Sequence, residues 1–189
     1  SWAPIEEVAK LFLGIFLSNL DEFFRVRVGT LVDQCAVEPP PIDDKTGWTS
    51  AQQLADLLWA ANGVTREDGK RTAPSAMDKR EIEIAVLTAK GLFLWDPEAN
   101  TLIENPACVD LEDQRRDASA FLVLYYDKGI QKRESALADS GFVGQNIYLF
   151  CASRGWNSVF MGSIDRKKLA TALGKEEDEI LFAHRIGVK

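Results

Sequence analysis

Apolar residues recur along this chain first at helical spacing, then in alternation, then at helical spacing again. From position 4 to about position 31 the pattern predicts a helix. Pro4 suits a first turn and Glu6 and Glu7 favour its positive end, while Phe12, Phe16, Phe23 and Phe24 give it an apolar surface that must pack on the body of the chain or on a partner subunit. Glu38-Pro39-Pro40-Pro41 stops any helix and imposes an extended stretch, and loop continues to Trp48. These signals divide the chain into an arm and linker, residues 1–48, and a body, residues 49–189. Thr49-Ser50 is placed to cap a second helix running through Ala61, with Leu54, Leu57, Leu58 and Ala61 on one face. Asn62-Gly63 reads as its stop, with Gly63 expected in the left-handed conformation. A turn-rich loop then leads to Pro74-Ser75-Ala76.

Beyond that loop the period changes. Glu81-Ile82-Glu83-Ile84-Ala85-Val86-Leu87 alternates polar and apolar, and Gly91-Leu92-Phe93-Leu94-Trp95 follows a short turn, so a strand pair is predicted. Asp96-Pro97-Glu98-Ala99-Asn100 makes the next turn. Residues 118–126 are almost wholly apolar, as in a strand buried on both faces. Residues 135–154 predict a long helix and Ser158-Val159-Phe160-Met161 a short strand. Asp165 is placed to cap a helix over 166–173, and residues 180–186 predict a last strand. Strands and helices intermixed with hairpins make the class α+β.

Composition narrows the function. The chain has 189 residues, 46% hydrophobic and 27% charged, which suits one domain, or one domain with an arm, that needs no disulfide or metal staple. Its net charge is -7, from 29 acidic and 22 basic residues, which argues against nucleic acid as a partner because phosphate binding needs a basic field. Cys35, Cys108 and Cys151 show no paired spacing, and with His184 as the single histidine they make no tetrahedral zinc set. Unpaired thiols suit a reducing compartment, so a cytoplasmic protein is expected. Residues 11–17 are too short an apolar run to cross a membrane, for which about 20 residues are needed, and they lack the small-residue cleavage pattern that follows a leader, so a signal peptide is not expected.

No catalytic triad, phosphate-binding lysine loop, dinucleotide fingerprint or carboxylate pair stands out. Gly141-Phe142-Val143-Gly144 lacks the strand and lysine of a phosphate loop and reads as close helix packing. Gln145 and Asn146 interrupt an apolar helix, so at least one must find a backbone, interface or cofactor partner. His184 is expected on a strand as a satisfied structural residue. Arg25-Val26-Arg27 and Arg115-Arg116 read as solvated charge. What remains is a set of polar loops at element ends, the kind of site in which a cofactor carries the chemistry.

Several tracts carry a family resemblance. Leu54-Ala55-Asp56-Leu57-Leu58-Trp59-Ala60-Ala61-Asn62-Gly63 and Asp68-Gly69-Lys70-Arg71-Thr72-Ala73-Pro74-Ser75-Ala76 come first. Gly144-Gln145-Asn146-Ile147-Tyr148-Leu149-Phe150-Cys151-Ala152, Phe160-Met161-Gly162-Ser163-Ile164-Asp165 and Ile186-Gly187-Val188-Lys189 follow in order. Together they resemble the FMN-dependent nitroreductase family. The resemblance implies a central, mostly antiparallel sheet flanked by helices, preceded here by a helical arm. It implies FMN as cofactor, NAD(P)H as donor, and a small electron-poor acceptor such as a nitroaromatic or quinone. Hydride transfer through flavin N5 would be ping-pong, at a site built on a homodimer. Pro74, Ser75 and Ala76 match the loop lining the flavin ring, with Met77 beside it. Gly162 and Ser163 match the pair whose N–H groups face N5 and O4, where fixed dipoles hold charge without a side-chain acid. Arg71 and Asn146 complete the implied cofactor set, and Arg185 or Lys189 would reach the phosphate.

The chain departs from the family in two ways. The Arg-Arg-Ser-x-Arg tract whose arginines hold the FMN phosphate is missing, and Lys45-Thr46-Gly47 runs directly into Trp48-Thr49. Arg25 or Arg27 would have to substitute; otherwise the chain is a non-catalytic binding or structural protein of the same fold. Residues 12–28 moreover resemble the N-terminal helical domain of polyphosphate kinase, without any counterpart of that family's phosphate-transferring histidine region. A third reading is therefore a phosphotransferase accessory fragment that binds polyphosphate in a salt-sensitive way.

Overall fold

The computed structural model describes residues 51–187 apart from Cys108. The predicted arm helix with Arg25 and Arg27, the proline-rich stretch, the Thr49-Ser50 cap and Lys189 lie outside the described residues. The elements in chain order are α1 (Ala51–Asn62), β1 (Ile82–Thr88), β2 (Gly91–Asp96), β3 (Thr101–Asn105), α2 (Glu112–Arg115), β4 (Ala120–Tyr126), α3 (Arg133–Ser153), β5 (Asn157–Met161), α4 (Arg166–Leu173) and β6 (Ile180–Gly187). Single 3-10 turns stand at Ala76–Asp78 and Glu177–Glu179.

The strands form one six-stranded sheet in the order β3-β2-β1-β4-β6-β5. Every adjacent pair is antiparallel. β4 lies in the middle and all seven of its residues are buried, which is why its sequence shows no alternation. Along β1 and β4 the partners Ile84↔Leu124 and Val86↔Leu122 bury side chains on one face, and Ala85↔Val123 and Leu87↔Phe121 on the other. α3 packs against the sheet on the first face and α1 packs on α3. On the second face Leu169, Ala170 and Ala172 of α4 close over Phe121, Val123, Tyr125 and Ile180, joined by Leu111. Burial of each leucine, isoleucine, valine or phenylalanine side chain here contributes about 1.5–3 kcal/mol.

β3 has no strong sequence signature, being half exposed at the sheet edge. It is made by the turn before it. The Asp96 carboxylate accepts hydrogen bonds from the N–H groups of Glu98 and Ala99, and Asn100 takes φ 50 while accepting from the Trp95 indole at 3.2 Å. Gly63 ends α1 differently from expectation, because its φ is not in the left-handed region. Its N–H donates to Trp59 O at 2.7 Å, and a Cβ would stand 2.5 Å from the Trp59 ring. Contact, not φ, excludes a side chain there. No helix among the described residues is long and apolar enough to cross a membrane.

Candidate functional site

Antiparallel register gathers four chain segments at one end of the sheet. Ile82 opposes Tyr126, Tyr125 opposes Ile180, and Met161 opposes Ala183. The start of β1, the end of β4, the start of β6 and the end of β5 therefore share that end. The 74–80 loop feeds β1 and the Gly162-Ser163 turn leaves β5, so both open there. In the order β1-β4-β6-β5 they are three strand spacings apart, about 14 Å at ~4.8 Å each.

The 74–80 loop is pinned at several points. Ala76 N–H donates to the Asp139 carboxylate of α3 at 2.7 Å, and Ala76 O accepts from the Gln131 amide at 3.1 Å. Ser75 Oγ accepts from Arg80 N–H at 2.7 Å. Met77, Asp78 and Arg80 take φ of 55, 53 and 55, a region that side chains disfavour and that persists only where surroundings enforce it. The Arg80 guanidinium closes on Asp78 at 2.9 and 2.6 Å. Pro74 is exposed, and the Met77 side chain stands out of the loop at 78% exposure.

Beneath the loop lies a carboxyl pair that the sequence did not reveal, since its members are 58 positions apart. Glu81 is 1% exposed and Asp139 4%, and among the described residues neither Glu81 carboxyl oxygen has a hydrogen-bond partner. Burial pushes the Glu81 carboxyl above its usual range, and the adjacent Asp139 adds to the shift. One signal was available. Asp139 sits among Ala136, Ser140 and Val143 on the buried side of α3, where a carboxylate needs a reason.

At the other segment, Gly162 and Ser163 are exposed. Among the described residues no backbone carbonyl accepts a hydrogen bond from either amide. The next turn is fixed from both sides. The Asp165 carboxylate accepts from Lys168 N–H and caps α4, Asp165 N–H donates to the Gln114 side chain, and the Arg166 guanidinium donates to the carbonyls of Ile180 and Leu181. A Cβ on Gly162 would make only ordinary contact with Phe182 at 3.5 Å, so packing alone does not call for glycine.

The other sequence-predicted positions are engaged within the fold. Arg71 donates to Ile82 O at 2.9 Å, beside Glu83, and so braces the start of β1. Arg185 donates twice to Gln114 O, at 3.0 and 2.7 Å, with its guanidinium over the Phe121 ring. The Asn146 amide donates to Ala61 O at 3.1 Å, tying α3 to α1, whereas Gln145 is exposed. His184 is on a strand as expected but is not satisfied. It is fully buried, among the described residues neither ring nitrogen has a hydrogen-bond partner, and burial lowers its pKa to about 4. Its neighbours are the rings of Tyr148 and Phe160, at centroid distances of 4.8 and 5.1 Å. The Cys151 thiol is buried and pushed up to about 11 by desolvation, the opposite of a nucleophile's environment.

This arrangement of a pinned loop and a pair of free amides at one sheet end can be set beside known proteins. The profile described as "Nitroreductase family" matches residues 44–188. The chain belongs to the nitroreductase family. A protein of Ralstonia eutropha named as a nitroreductase, whose structure is solved, is 30% identical and superposes with a TM-score of 0.67 over 80% of this chain and 84% of its own. One of Methanocaldococcus jannaschii, also named as a nitroreductase, is 26% identical over 69% of this chain and 77% of its own. A nitroreductase-named structure of Desulfovibrio desulfuricans, solved in complex with FMN, shares the fold at 18% identity, with a TM-score of 0.51 over 74% of each chain. A second profile, "Polyphosphate kinase N-terminal domain", matches residues 3–84 and overlaps the first. The Exiguobacterium polyphosphate kinase is 48% identical over 58 residues, 31% of this chain. The present chain spans only 8% of that kinase's length.

FMN is the group the family implies, and the described residues fit one end of it. Two exposed adjacent amides suit the polar edge of an electron-rich ring, and the 74–77 loop stands about 14 Å away along the same sheet end. The phosphate end finds no such match in Arg71 or Arg185, whose guanidinium groups already serve backbone carbonyls.

Proposed function

We propose that this chain is an FMN-dependent NAD(P)H oxidoreductase acting on small electron-poor acceptors such as nitroaromatics or quinones. The observation that carries the reading is the pair of unengaged, exposed amides of Gly162 and Ser163 at the same sheet end as the pinned 74–77 loop. FMN, when bound, supplies a ring that takes up hydride from a nicotinamide and passes it to the acceptor. The chain's own residues hold and shield that ring. The amides of Gly162 and Ser163 stabilise negative charge on its polar edge, and no side-chain acid is required. Pro74, Ala76 and Met77 offer apolar surface to its face, with Ser75 turned to the Arg80 N–H. The two segments stand about 14 Å apart in one chain by strand spacing. A site completed by a second subunit answers that separation, so the working form is a homodimer. Residues 49–189 form the catalytic unit and residues 1–48 an added arm.

The test is direct. Purified protein should be yellow or take up FMN to saturation, and should then oxidise NADH or NADPH with ping-pong kinetics when a quinone is supplied. A colourless protein that FMN titration cannot saturate overturns this reading. It would support the second one, a non-catalytic protein of the same fold, which the internal commitment of Arg71 and Arg185 and the missing Arg-Arg-Ser-x-Arg tract favour.

A further inference from the structure

Gln114 and Arg185 have no part in the oxidoreductase reading above, yet they meet beside the turn which that reading assigns to the ring. There four side chains close a hydrogen-bonded circuit. The Gln114 side chain of α2 accepts from Asp165 N–H at 3.0 Å through Oε1. The Asp165 carboxylate accepts from Lys168 N–H at 3.0 Å, and the Lys168 ammonium reaches the Asp113 carboxylate at 2.7 Å. Asp113 in turn accepts from Gln114 Nε2 at 2.9 Å. A carboxylate only accepts, so Asp113 fixes which end of the Gln114 amide faces Asp165.

Arg185 ties this circuit to the sheet. From β6 its guanidinium donates to Gln114 O at 3.0 and 2.7 Å, while Gln114 N–H donates to the carbonyl of buried Leu111 at 2.9 Å. Both backbone groups of Gln114 are held, and its side chain projects from a fixed base. On the near side of the turn, Met161 is held in the β5–β6 ladder opposite Ala183. Only Gly162, Ser163 and Ile164 stand between that ladder and the Asp165 N–H that Gln114 grips. The direction of the Gly162 and Ser163 amides is therefore set from both ends. Arg166 anchors α4 to the carbonyls of Ile180 and Leu181, whereas Gln114 engages the last amide of the turn itself.

We propose that Gln114 is a positioning residue, fixed by Arg185 and Asp113, that aims the Gly162 and Ser163 amides at the polar edge of the ring. The aim at the ring rests on the oxidoreductase reading; the grip on the turn rests on the contacts. The Lys168–Asp113 link is an exposed ion pair, its side chains 34% and 55% exposed, and such pairs add little to stability. The effect of the circuit is on direction. Misdirected donors lose most where the ring carries most negative charge, in reduced FMN.

The experiment compares wild type with Gln114→Met, which keeps the side-chain length and removes both amide bonds, with Asp113→Ala, and with Glu112→Gln. Glu112 pairs with Arg115 on the same helix outside the circuit, so E112Q is the control. Three quantities are read: affinity for oxidised FMN, the two-electron potential of the bound flavin, and hydrogen exchange of the Asp165 amide in FMN-free protein. Q114M should bind oxidised FMN about threefold more weakly and reduced FMN about thirtyfold, a tenfold difference that lowers the potential by about 30 mV. D113A should move both in the same direction. The Asp165 amide should exchange about fivefold faster in Q114M, at a melting temperature close to that of wild type. E112Q should match wild type throughout. An unchanged potential in Q114M, or the same shift in E112Q, would overturn the proposal. If wild type takes up no FMN, the oxidoreductase reading fails by itself, and exchange decides the grip on the turn. Faster Asp165 exchange in Q114M but not in E112Q supports it, and equal exchange in all the proteins refutes it.

Discussion

Gly144 of α3 and Phe160 of β5 touch where a side chain on the glycine would stand: a Cβ there would lie 2.7 Å from Cε2 of the ring. The ring has little room to yield. It is tilted against Phe182 at 4.7 Å and edge-on to His184 at 5.1 Å, and the Phe160 N–H donates to Tyr148 Oη at 2.7 Å. Gly144→Ala gains about 1 kcal/mol of helix propensity but overpacks this contact, at a typical cost of about 1–3 kcal/mol. The net outcome is a lower urea midpoint with an unchanged slope. A midpoint equal to or above wild type would show that the ring moves aside freely.

His184 makes the fold sensitive to acid. Burial lowers its pKa from 6.5 to about 4, with the Gly144 backbone opposing the shift only in part. The unfolded chain takes up a proton below about pH 6.5, whereas the folded chain resists until about pH 4. Stability attributable to this group is therefore intact above 6.5 and falls as pH drops through that window, at up to about 1.4 kcal/mol per unit. Urea unfolding at pH 7, 5.5 and 4.5 should show a steeper loss in wild type than in His184→Leu. Parallel curves for the two proteins would assign the acid sensitivity elsewhere.

Cys151 should be chemically silent in the folded state. It is fully buried and its thiol is pushed up to about 11. In a background with Cys35→Ser and Cys108→Ser, a thiol reagent at pH 8 should label the protein only above the urea midpoint, with one equivalent incorporated. Labelling of folded protein within minutes would contradict the burial.

Much of the scaffold was legible in the chain, and the reasons are specific. The all-apolar run in β4 and the alternation in β1 report burial that the strands impose, and Asp165 reports the cap of α4 by its own chemistry. β3 was missed because an edge strand exposed on Ile103 and Glu104 carries no alternation. Gly63 was placed correctly at the end of α1 for the wrong reason, since proximity to Trp59 cannot be read from a one-dimensional pattern. The site divides in the same way. The assignment of the 74–77 loop and the Gly162 turn to the site rests on the resemblance, and register shows only that both open at one sheet end. The Glu81–Asp139 pair and the engagement of Arg71 and Arg185 with carbonyls of distant elements depend on register, which sequence spacing does not fix.

The reading of Gly162 and Ser163 as backbone donors can be separated from any role for the Ser163 side chain. Ser163 is exposed at the mouth of the turn, and the group the reading requires is its N–H, not its hydroxyl. Ser163→Ala should therefore leave FMN affinity within about twofold of wild type, because the loss of an exposed hydroxyl has little effect. Ser163→Pro removes the N–H itself. One lost charge-assisted donor is worth about 1.5–3 kcal/mol, so affinity should fall on the order of 10–100-fold. The turn is anchored beyond this position by Asp165 and Arg166, so the melting temperature of cofactor-free protein should move little by comparison. If Ala and Pro weaken FMN equally, the hydroxyl is the contact. If neither does, the ring does not lie against this turn.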